Sequence, residues 1–87
     1  MKIVDGFVLK NIADTNVVVP LGSNTVSFRS VIQLNETGAF LWKLLENDID
    51  EEGLLTAMLK EYDIDEQTAK ADIDEFLITM RKAELLV

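Results

Sequence analysis

Neither cysteine nor histidine occurs in these 87 residues. Their absence removes disulfides, thiolate nucleophiles, imidazole bases and the usual zinc and iron ligands together. Proline occurs once, and no Pro-, Gly- or Ser-rich tract or internal repeat divides the chain, the pattern of one domain spanning residues 1–87. No apolar run approaches the roughly 18 residues of a membrane span, and the opening MKIVDGF lacks the apolar core of a secretion signal. A cytoplasmic protein with no membrane partner is expected. Positive charge is scarce as well, with eight Lys and Arg against sixteen Asp and Glu and a net charge of −8. The deficit is uneven. Residues 1–34 hold three basic and two acidic side chains, whereas residues 35–87 hold five basic and fourteen acidic ones. A half so acidic repels a phosphate backbone and favours neutral or basic partners.

Hydrophobic residues are plentiful, at 48%, enough to offset the entropy of ordering a small domain. The first third has the period of sheet. In GFVLKNIA (6–13), Phe7, Leu9 and Asn11 alternate with Val8, Lys10 and Ile12. DTN (14–16) is turn material and VVVP (17–20) is β-branched, which together predict a hairpin. LGSNT (21–25) breaks the pattern, and residues 26–34 supply one or two further extended pieces ending in VIQL. Alternation puts Ile32 and Leu34 on one face of that last piece, Val31 and Gln33 on the other.

From Asn35 the period becomes helical. Asn35 suits an N-cap and Glu36 the positive end of a helix dipole. Gly38, Leu41, Trp42, Leu45 and Ile49 form one apolar stripe, with Phe40 and Leu44 on its flank. Glycine inside a helix is unfavourable by about 0.5–1 kcal/mol, so Gly38 predicts close approach of another element. A second helix starts at Asp50, with Ile49 and Leu54 spaced as a hydrophobic staple. Its stripe is Leu54, Leu55, Met58, Leu59 and Tyr62. A third, capped by Asp65, buries Ala69, Ile73, Phe76, Leu77 and Met80, and LLV (85–87) suits a short closing strand. Strands followed by three helices give an α+β fold with the helices on one side of a small antiparallel sheet.

Three acidic clusters invite a metal reading: DIDEE (48–52), DIDE (63–66) and DIDE (72–75). None has the spacing of a calcium loop. The first two read as helix starts and the third as a solvated face. Trp42, on the stripe of the first helix, reads as core rather than as a ligand platform. No nucleophile–base pair or metal set can be assembled, so neither a catalytic residue nor a cofactor is expected. Two features point to binding. A small open sheet leaves an edge strand able to accept a partner segment, and VIQL is the candidate edge. The third helix also carries a line away from its core stripe, Ala71, Asp74, Ile78, Arg81 and Lys82, with Ile78 its one sizeable apolar member.

The combination of VVVPL in a strand, LNETGAFLW at the strand-to-helix junction and acidic helices ending in FLITMRKAELLV resembles the PqqD family, over Phe7 to Val87. The sharpest match is L-N-x-T-G-x-x-x-W at Leu34, Asn35, Thr37, Gly38 and Trp42. The segment 21–30 carries no sharp family pattern. The resemblance implies a winged-helix-like fold, a three-stranded antiparallel sheet packed on three helices. It also implies a non-catalytic peptide-recognition element in the biosynthesis of ribosomally made, post-translationally modified peptides. Such proteins bind the leader segment of a precursor as a strand beside their third strand, with side chains entering a groove against the third helix, and present it to a modifying enzyme, often a radical SAM protein. Carried onto this chain, the receiving strand is Val31, Ile32, Gln33 and Leu34, and the groove wall includes Asp74, Ile78, Arg81 and Lys82. Leu34, Asn35 and Trp42 hold strand and helix in register. The alternative is a DNA-binding winged helix, against which the charge of the third helix argues. An exposed edge also admits strand exchange, so the expected assembly is a monomer or a strand-swapped dimer.

Overall fold

The computed structural model describes residues 1–22 and 31–87, and statements of absence below refer to these residues. Two strands, β1 (Phe7–Ile12) and β2 (Thr15–Pro20), form an antiparallel hairpin; β3 (Gln33–Leu34) pairs with β2, giving the order β1-β2-β3. Three helices follow: α1 (Glu36–Leu44), α2 (Glu51–Glu61) and α3 (Glu66–Lys82). The α+β arrangement of three strands then three helices is as the sequence predicts. The extended segment expected within 26–30 lies outside the described residues.

The hairpin turns one residue earlier than DTN suggests. Ile12 pairs with Thr15, leaving Ala13 and Asp14 as a two-residue loop with φ of 51° and 64°, the positive pair of a type I′ turn. Thr15 and Asn16 therefore belong to β2, and the Asn11 amide donates to Asn16 Oδ1 at 3.2 Å across the ladder. The turn geometry, whose twist matches the strands, overrides the turn preference of Asn16.

Each helix starts on a side-chain oxygen that satisfies an otherwise unpaired amide of the first turn. Asn35 accepts from Gly38 N at 2.8 Å, Asp50 from Gly53 N at 2.8 Å and Asp65 from Thr68 N at 2.7 Å. The Thr68 amide stabilises the ionised form of Asp65 and holds its carboxyl below the ordinary value of 3.8. Two of the three acidic clusters thus contain helix caps. Helix α1 ends sooner than its stripe implies. The Leu45 carbonyl accepts from Ile3 N at 2.8 Å, so the N-terminal segment takes a bond that a further helical turn would have made. Leu45 is fully buried and Ile49 still packs on the core from the connecting segment.

One cluster runs from Ile3 to Leu85 and takes in Val18 and Ile32 of the sheet layer, Leu41 and Trp42 of α1, Leu54 and Met58 of α2, and the expected stripe of α3. Trp42 is a core residue, 2% exposed. Phe40, on the flank of α1, meets the Tyr62 ring edge-on at 5.4 Å, so that flank packs on the end of α2. Burial, with Glu36 and Glu61 nearby, pushes the Tyr62 hydroxyl above its ordinary pKa of 10.0. Leu59, expected on the α2 stripe, is partly exposed instead. The LLV segment makes one antiparallel bridge, Leu86 with Ile3, rather than joining the sheet. No described helix is long and apolar enough to cross a membrane.

Candidate functional site

The site begins at the junction LNETG. Asn35 Oδ1 accepts from both Gly38 N and Thr37 Oγ1, which turns the chain from β3 directly into α1. Gly38 is buried under Leu34. A Cβ there would lie 3.3 Å from Leu34 Cβ and 3.1 Å from Asn35 Oδ1, so the absent side chain lets strand and helix touch. This is the close approach the sequence predicts, and it fixes where β3 stands relative to the helices.

On its other side β3 has no described neighbour. Val18 N donates to Ile32 O at 3.0 Å, so the backbone of Ile32 points at β2. Polar groups of successive strand residues alternate in direction, which turns those of Gln33 outward, to the edge that no described strand occupies. Ile32 and Leu34 face the core and Val31 and Gln33 face away, in agreement with the alternation; Val31 is 80% exposed.

Beside this edge lies a cavity of about 250 Å³. One wall is Gln33 and Leu34 with the start of α1; the other is Asp72, Glu75, Phe76 and Thr79 of α3. A second depression adjoins it around the hairpin turn, sharing Gln33 and Leu34 and adding Asp14 and Glu36.

The cavity brings together Gln33 and Leu34 of the expected residues; β3 is confined to these two, so Val31 and Ile32, expected in the receiving strand, lie just before it, with only the Ile32 carbonyl bonded to β2. It does not gather the expected line on α3. At about 3.6 residues per turn, that line runs along the solvent face of the helix and spreads to both sides. Asp74 borders a separate depression against α2, with Glu51, Glu52 and Leu55. Arg81 pairs with Glu51 at 3.8 Å and donates to Met1 Sδ at 3.5 Å. Both therefore stand on the α2 side. Ile78 is 52% exposed, and with Lys82, the last residue of α3, follows the helix surface next to Glu75 and Thr79.

Sequence reasoning missed Asp72, Glu75 and Thr79. Their signal was present, since positions 72, 75, 76 and 79 follow helical spacing on the border of the core stripe. A helix has two such borders, however, and only the tertiary contacts show which one faces β3. The third acidic cluster, read as a solvated face, thus contributes two carboxylates to the cavity wall. No three described carboxylates gather into a group that could hold a metal ion.

A solved structure described as TbiB1 in complex with the TbiA(beta) leader peptide is similar to this chain with a TM-score of 0.74 and 31% identity, over 99% of this chain and 94% of that one. No curated protein gives a match. The family model for coenzyme PQQ synthesis protein D matches residues 16–86, a span that includes β2 but for its first residue, β3, the LNETG junction and all three helices. On that match the chain belongs to the PqqD family.

Proposed function

We propose that this protein binds the leader segment of a ribosomally synthesised precursor peptide as an added strand on the open edge of β3, and presents it to a modifying enzyme without itself catalysing a reaction. The observation that carries this reading is the position of the edge: Gln33, whose backbone turns away from β2, borders a cavity whose far wall is α3. An added strand needs a spacing of about 4.8 Å from its neighbour and unpaired amides and carbonyls to meet; specificity then comes from side chains entering the groove. The TbiB1 complex with a leader peptide supports the same ligand class for a related chain.

In this reading Val31 and Gln33 exchange hydrogen bonds with the guest, Ile32 holds the strand to the core, and Leu34 lines the groove. Ile78 and Lys82 extend the contact along α3. Asp74 and Arg81, turned towards α2, stand outside it. The modifying enzyme is a radical SAM protein by family resemblance, and co-purification with a radical SAM enzyme from the same genome tests that part.

Gln33→Pro tests strand addition. Proline removes the outward N–H of an edge strand without taking a bond from the β2 ladder. Binding of a leader peptide that the wild type is first shown to bind, with the TbiA(beta) leader as the first one tried, followed by calorimetry, is expected to weaken about tenfold, somewhat more than one hydrogen bond contributes, with thermal stability retained. Wild-type affinity in the folded variant would place the peptide elsewhere.

A further inference from the structure

The cavity has a chemical bias that backbone pairing does not use. Phe76 is buried and Leu34 half-buried, and the two give a mostly polar wall one apolar patch. Asp72 and Glu75 border it from α3, three residues apart and so neighbours on the helix surface. Neither makes an ion pair with a described residue, and none of the residues lining the cavity is basic. The adjoining depression adds two more carboxylates, Asp14 and Glu36, and again no cation.

The geometry points to a guest strand that carries lysine or arginine at the position facing Asp72 and Glu75, its aliphatic stem lying on Leu34 and Phe76 and its charged head between the two carboxylates. This specificity rests on the strand-addition reading of the same edge. A long basic side chain meets both demands because it covers apolar surface along its stem while its charge stays at the tip. Leucine would cover the apolar lining but withdraw water from two carboxylates without replacing their hydrogen bonds. An acidic side chain would add a third like charge, and serine would leave the lining of Phe76 uncovered.

Short random peptides displayed on yeast and selected against the wild-type protein provide the test, since they assume no ligand. Recovered binders are then titrated against the wild type, Gln33→Pro, and the isosteric double variant Asp72→Asn with Glu75→Gln. The expected binders carry Lys or Arg at one fixed position of an alternating pattern and lose affinity about fivefold on the double variant, the scale of a partly exposed ion pair. Added salt should shrink that loss. Replacing the basic residue of the peptide by glutamate should abolish binding to the wild type and restore it in part to a protein carrying Asp72→Lys. Binders that are weakened by Gln33→Pro yet show no fixed basic position, or are indifferent to the double variant, would overturn the charge specificity and leave strand addition standing. Binders indifferent to Gln33→Pro, or a selection that recovers none, would count against strand addition and the specificity with it.

Discussion

Trp42 illustrates a motif residue whose role is in the core. It is 2% exposed and lies one helical turn beyond Gly38, whose missing side chain admits Leu34. Removing the indole leaves a void in the core cluster, and Trp42→Ala is expected to lower stability by about 3–5 kcal/mol, as large core truncations do. Urea unfolding checks this; a loss below about 1 kcal/mol would mean that the ring is not a core element. The motif residues separate in the same way. Asn35 and Gly38 shape the turn from strand to helix, whereas Gln33 is conspicuous only for a backbone directed away from β2. A pattern of side chains in the sequence points to the first pair and is silent on the second, because an outward amide is a property of pairing rather than of residue type.

At the scale of elements, the hairpin departs most clearly from its local preferences. Ala13 and Asp14 both occupy positive φ, a region that a side-chain-bearing residue enters at a cost of about 1–2 kcal/mol. The ladder imposes this, since pairing Phe7 with Pro20 through to Ile12 with Thr15 leaves only two residues to turn the chain. Substituting Ala13→Asn together with Asp14→Gly supplies the residues that type I′ turns favour. The pair is expected to stabilise the protein by about 1 kcal/mol, read as a higher melting temperature with an unchanged spectrum. An unchanged or lower melting temperature would argue for a different loop. Helix α3 was legible along its core stripe and less so beyond it. Its buried line follows from periodicity, but the choice between its two borders does not. The expected wall residues Asp74 and Arg81 lie towards α2, while Asp72, Glu75 and Thr79 border the β3 cavity.

At the scale of the whole fold, residues 2–4 and 85–87 meet in one seam. Val4 N donates to Leu85 O and Val87 N to Lys2 O, both at 2.9 Å, while Ile3 N reaches Leu45 O. Leu85 is fully buried at this seam. Leu85→Ala is expected to destabilise the protein by about 2–5 kcal/mol, seen as a lower urea midpoint at an unchanged slope; a shift within error would show that the seam is peripheral to the core. Charge also acts at this scale. The acidic excess of residues 35–87 disfavours a phosphate backbone, and its share on the cavity wall underlies the proposed preference for a basic guest.

The amino-acid sequence by itself determined the α+β order, the three helix caps, the core stripe of α3 and the alternation of VIQL. Each depends on neighbours a few residues away, through hydrogen bonds of the first turn or the period of strand and helix. Tertiary structure decided the position of the β1–β2 turn, the early end of α1 against Ile3, and which border of α3 stands beside the open strand. These depend on partners distant in the chain, because a carbonyl satisfied by a remote amide, or a helix rotated to bury its stripe, takes its final orientation only when the whole core packs.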